Sequence, residues 1–164
     1  MPQAVVVLLR IVHVLSGAIW VGALVIAAFF LMPSVSAAGP AGGQVMKGLL
    51  DRKYPQLMMA LMGLTILSGG TLMWWVSKNF GGNWMATGMG RTIGFGAAVA
   101  IIATGFGVAI NRPTAARMQK LMGEMAGGAP SAAQAAEMQM LQGKMLKATR
   151  IVAVLLMLAA AAMA

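Results

Sequence analysis

The 164-residue chain has no cysteine, three acidic residues, one histidine and one tyrosine. Without cysteine there is no disulfide, no thiolate metal site and no thiol nucleophile, and the redox state of the compartment is left open. The acids Asp51, Glu124 and Glu137 all fall in connections between apolar segments. No apolar segment carries a carboxylate, which argues against a carboxylate-based ion or proton pathway. Paired carboxylates, a Ser-His-Asp set and a phosphate loop are equally absent, so hydrolysis and group transfer are not expected. "GMGRTIG" (88–94) has a dinucleotide-like glycine spacing, but it follows a polar loop rather than a strand. The expectation is a protein that is not an enzyme.

What is present is mostly apolar. Hydrophobic residues make up 60% of the chain, charged residues 9%, and mean hydropathy is +0.83. Soluble domains are closer to half apolar and a quarter charged. The reading is a single all-α membrane domain, an integral membrane four-helix bundle. Twelve Lys and Arg give a net charge of +9. They sit mostly between apolar segments, where anionic headgroups and topology account for them. No basic stripe interleaved with aromatics is visible, so a nucleic-acid partner is not expected.

Four spans are predicted, at about 11–32, 54–77, 88–110 and 145–164. Twenty-two residues at 1.5 Å each are enough to cross about 30 Å of hydrocarbon. Pro33 and Gly39-Pro40 are expected to end the first span. Tyr54 and Trp74-Trp75 bracket the second like interfacial anchors. "NFGGNW" (79–84) reads as a tight outer loop, and Asn111-Arg112-Pro113 as the stop of the third span. The fourth is short of apolar residues unless Lys147 and Arg150 snorkel. A capping box at Ser131 and Gln134 predicts one long helix from about Ala132 to the C-terminus. An amphipathic helix over 114–126 and a hinge at "GGAPS" (127–131) complete a helical hairpin between spans three and four. Arg10, the apolar run and "SVSAAG" resemble a secretory signal, but the run exceeds the usual length and is expected to be retained.

Nine basic residues lie in the connections 33–54 and 111–150, against Arg10, Lys78 and Arg91 on the other side. This asymmetry predicts a multi-pass inner-membrane protein with the hairpin in the cytoplasm and both termini outside. His13 would then lie within about one turn of the outer interface.

An ionisable residue inside a span is a functional candidate by default. His13, Gly17, Trp20 and Leu24 fall at i, i+4, i+7 and i+11 and share one helix face. Gly17 lets a neighbouring helix or a flat ligand approach. A neutral histidine there can also donate to a backbone carbonyl and simply pack.

The pattern H-x3-G-x2-W-x-G, met as His13, Gly17, Trp20 and Gly22, resembles one in small bacterial membrane proteins. These include copper-resistance protein D and the membrane part of membrane-bound urate-oxidase-like proteins. The resemblance covers mainly the first span. It implies that His13 is a haem or copper ligand. Proteins holding b-type haem between helices commonly use two histidines, and here there is one. A monomer is left with His/Met ligation or five-coordinate iron, while a symmetric dimer would supply two copies of His13. With haem present, Arg10 and Arg91 are candidates for the propionates. The plain alternative for both is a topology-setting arginine.

Seventeen methionines include clusters at Met58, Met59 and Met62, at Met118, Met122 and Met125, and at Met138, Met140 and Met145. Thioethers suit Cu(I), but methionine at helical spacing is more often core filler. Gly90-x3-Gly94, Gly96-x3-Ala100 and Ala103-x3-Gly107 give the third span small-residue faces for close packing, expected mainly within this chain. Two functions remain. The preferred one is a non-enzymatic accessory or scaffolding subunit, whose partners are lipids and other integral subunits or further copies of itself. The other is a small haem-b or copper-binding membrane protein using His13.

Overall fold

A computed structural model describes residues 1–79, 81, 83–125 and 131–164, with Pro40 described in its backbone alone. Every regular element among them is helical. The helices are α1 (Gln3–Ala37), α2 (Pro40–Asp51), α3 (Tyr54–Asn79), α4 (Gly88–Met125) and α5 (Ala132–Met163), with a 3-10 turn at Trp84–Ala86. Four of them, α1, α3, α4 and α5, are long and apolar enough to cross a membrane. The protein is an all-α membrane protein. The expected hinge at 127–131 lies outside the described residues except for Ser131, as do Phe80 and Gly82 of the 79–84 loop.

Two proline stops fail. α1 runs on through Pro33, helped by a π-helical turn over Ala27–Leu31 directly before it. A wider turn gives the pyrrolidine ring room that a regular α-turn denies it. α1 ends at Ala37, just before the Gly39-Pro40 stop that the sequence also predicts, and the φ of 55° at Gly39 suits a residue without Cβ. α4 likewise continues through Pro113 to Met125, so the separate helix expected over 114–126 is the end of α4. A proline in a helix interior costs about 3 kcal/mol. Buried Thr114 adds a hydroxyl bond to the Ile110 carbonyl at 2.7 Å in that turn. Beyond it, burial of Leu121 and pairing of Arg117 reward the extension.

α2 arises in what reads as a loop. Gly39 supplies the turn and Pro40 opens the helix, its missing N–H harmless there. Gly42 sits against Val35, where a Cβ would come within 1.9 Å of the Val35 carbonyl oxygen. Lys53, at φ 57°, separates α2 from α3.

Two compact units form, one over Met1–Phe95 and one over Gly96–Ala162. In the first, α1 packs on α3. In the second, the fully buried Leu121 of α4 and Leu156 of α5 are the largest core side chains. On α5, Leu141, Ala148, Val152, Leu156 and Ala159 are all buried, at spacings of seven, four, four and three that keep them on one face. Val152 reaches Gly107, where a Cβ would stand 3.3 Å from its methyl. Small residues of α4 thus do serve packing within the chain. The α5 start carries the expected capping box: the Gln134 N–H donates to Ser131 Oγ at 3.2 Å, and the Ser131 N–H to Gln134 Oε1 at 2.9 Å.

Candidate functional site

His13 is half-buried and turned toward α3. Its Nδ1 lies 2.8 Å from the Thr65 carbonyl oxygen. A carbonyl only accepts, so Nδ1 carries a proton, and in the neutral ring Nε2 is then the nitrogen with the lone pair. Ser68 Oγ stands 3.5 Å from the same Nδ1 and donates its own proton to the Leu64 carbonyl. One turn along α1, Ser16 Oγ contacts Thr65 Oγ1 at 2.9 Å. Each hydroxyl has one proton, so one of the two donates across the pair and the other donates to the carbonyl four residues back, Val12 at 2.6 Å from Ser16 or Leu61 at 2.8 Å from Thr65. Four polar side chains therefore form a belt between α1 and α3, with Ser16 and Ser68 both 4% exposed. Within hydrocarbon, each such bond contributes about 0.6 kcal/mol on average and about 1.7 at most.

The belt forms because glycines let the helices meet. A Cβ on Gly69 would lie 2.5 Å from His13 Cε1 and 2.8 Å from Nδ1, closer than real side chains approach. Gly69 is the seat of the imidazole. At Gly17, a Cβ would stand 3.4 Å from the Thr65 methyl. The close approach expected at Gly17 is thus taken by α3. Trp20 is buried at 5% exposure on the same face of α1, whereas Leu24 is half-buried.

The depth of His13 differs from the sequence expectation. Thr65, its partner, lies about 16 Å along α3 from Tyr54 and about 20 Å from Lys78, at 1.5 Å per residue. The imidazole therefore sits opposite the middle of α3, not within a turn of its end. α1 begins at Gln3, eight residues before the predicted start.

Arg10 and Arg91 are exposed, and neither makes a side-chain hydrogen bond or ion pair among the described residues. No bond ties either one to His13. The described residues contain no group of three His, Asp or Glu side chains close enough to hold a metal ion. Thr65, Ser68 and Gly69 escaped the sequence reading. Their signal is "TILSGG", hydroxyls three residues apart inside an apolar span.

A second polar cluster lies outside the spans. Arg117 of α4 pairs with both Glu137 oxygens of α5, Nε to Oε1 at 2.6 Å and Nη2 to Oε2 at 2.8 Å, and stands 3.8 Å from Glu124. The bidentate bond to Arg117 holds the Glu137 carboxyl below its ordinary value of 4.5. The same bond pushes the Arg117 guanidinium further up.

No family model, curated protein or solved structure matches this chain.

Proposed function

We propose that the protein is a non-enzymatic integral membrane subunit that packs within a larger membrane assembly, in the inner membrane with both termini outside. One observation carries the reading: the polar groups inside the α1–α3 pair are committed to holding helices together. His13 spends its proton on the Thr65 carbonyl of the facing helix, and Ser16 and Thr65 meet hydroxyl to hydroxyl across the pair. Nothing in the belt is arranged to bind or turn over a substrate. The spans also bury little against each other, 11% of the apolar window in both α3 and α4. The remaining surface is available to lipid and to other subunits. Extraction from native membranes in mild detergent tests this. Co-migration with other integral proteins is the expected result; a monodisperse chain with no partner overturns the proposal.

A second reading has a specific observation in its favour. With Nδ1–H bonded to a carbonyl, the ring is fixed in the tautomer that offers Nε2 as a ligand, as outer-shell partners do for ligating histidines. No other atom among the described residues bonds to Nε2. His13 Nε2 would supply one nitrogen ligand to haem iron or to copper, and the chain has no second imidazole. A symmetric dimer pairing two copies of His13 would complete haem ligation. The absorption spectrum of the purified protein decides. A Soret band lost in His13→Ala supports ligation, and a colourless, metal-free preparation removes it.

A further inference from the structure

The outer surface of α3 carries a groove that the α1–α3 belt does not use. Its apolar part, about 340 Å³, is lined by Ile66, Leu67, Gly70, Thr71 and Trp74. A second part of about 630 Å³ shares Gly70 and Trp74 and ends at Ser77, Lys78 and Gly81. Gly70 is the floor, since a Cβ there would meet nothing within 4 Å. Bare backbone at that point opens the helix surface between Trp74 and the Ile66-Leu67 step. Thr71 makes no polar demand on an occupant, because its hydroxyl already donates to the Leu67 carbonyl at 2.7 Å.

The far end is different. The Lys78 ammonium stands over the Trp74 ring, 5.4 Å from its centroid. The indole holds the cation in place without neutralising it. Among the described residues no carboxylate pairs with Lys78: Glu124 and Glu137 are engaged by Arg117, and Asp51 closes α2. From Ile66 to Lys78 the groove follows α3 for about 18 Å. Half of a bilayer's hydrocarbon core is about 15 Å. An apolar trough one leaflet deep, with a fixed and unneutralised cation at its interfacial end, has the shape and charge of one ligand class.

We propose that this groove is a binding site for an anionic glycerophospholipid, with an acyl chain lying over Gly70 against Trp74 and the phosphate on Lys78. Ser77 adds a hydroxyl beside the headgroup. A choline headgroup would bring its own cation against the Lys78 ammonium, so the site favours a net negative lipid.

The full-length protein in detergent, titrated with phosphatidylglycerol or phosphatidylcholine of the same acyl chains and followed by native mass spectrometry, tests the site. The wild type is expected to bind phosphatidylglycerol more tightly. Lys78→Gln should weaken that binding about fivefold, the weight of one basic residue at an anionic surface, and erase the preference. Gly70→Leu should weaken both lipids by filling the trough, and Lys144→Gln, a charge control elsewhere, should change neither. Far-ultraviolet circular dichroism of each variant confirms the helices. Equal binding of the two lipids by the wild type, or wild-type binding in both Lys78→Gln and Gly70→Leu, would overturn the assignment.

Discussion

The two helix pairs are built on opposite principles. α1 and α3 meet through an imidazole, three hydroxyls and two glycines. The buried side chains of α4 and α5 are mainly leucine, valine and alanine, with Val152 reaching Gly107, and the two helices are fastened by the Arg117–Glu137 pair beyond the proline. The solvent accounts for part of the contrast. In lipid, apolar packing has no water to escape, so polar bonds and close backbone approach hold α1 against α3. Around Leu121 and Glu137 the two helices lie beyond the apolar runs, where burying alkyl surface from water does act, whereas Ala148, Val152, Leu156 and Ala159 lie within the fourth span and pack by shape.

Substitutions can break that contrast, and the largest effect belongs to the water-facing end. Leu121→Ala empties a side chain only 1% exposed and should lower stability by about 2–5 kcal/mol. Denaturation in detergent–SDS mixtures measures it, and an effect no larger than that of a surface site would place the α4 extension outside the core. Next comes Gly69→Ala, whose methyl must displace the His13 ring. Overpacking of that kind costs about 1–3 kcal/mol. Its neighbour Gly70→Ala adds the same methyl to open space and should be near neutral. Similar losses at the two glycines would deny that Gly69 seats the imidazole.

Asn111 offers a smaller change of opposite sign. Its Oδ1 is enclosed in α4 with no hydrogen-bond partner among the described residues. Replacing an unmet buried acceptor relieves a penalty of about 1–3 kcal/mol, so Asn111→Leu should raise resistance to SDS rather than lower it. A loss would mean that the amide has a polar partner in the folded protein. The smallest effect is electrostatic. Because the Glu137 pKa is lowered on folding, its stabilisation is fully present above the ordinary carboxylate value. It fades as pH falls through the lowered folded value. Wild type and Glu137→Gln should differ slightly at neutral pH and converge in acid, with high salt narrowing the gap. A difference that grows in acid would reverse the assignment.

Much of the architecture follows from local pattern. Each of the four spans is visible as a charge-poor run, and Ser131 with Gln134 marks the α5 start within a residue. The shared face of His13, Gly17 and Trp20 follows from a period of 3.6, and all three are at least half-buried in α1. Pro33 and Pro113 mislead because proline reports a local cost, whereas the π-turn and the contacts of Leu121 and Arg117 that offset it come from elsewhere. α2 is missed for a related reason: three glycines in twelve residues are poor helix formers, and close contact with Val35 at Gly42 accompanies the turn into it.

Composition alone dictated an all-helical membrane protein, because a backbone in hydrocarbon must satisfy its own hydrogen bonds and only long apolar helices here can do so. Folding alone decided what the single imidazole does. Thr65 and Gly69 are more than fifty residues from His13 along the chain, and no helical period relates positions on different helices. Only when α1 lies against α3 does a carbonyl receive the Nδ1 proton, a missing Cβ make room for the ring, and Nε2 remain uncommitted.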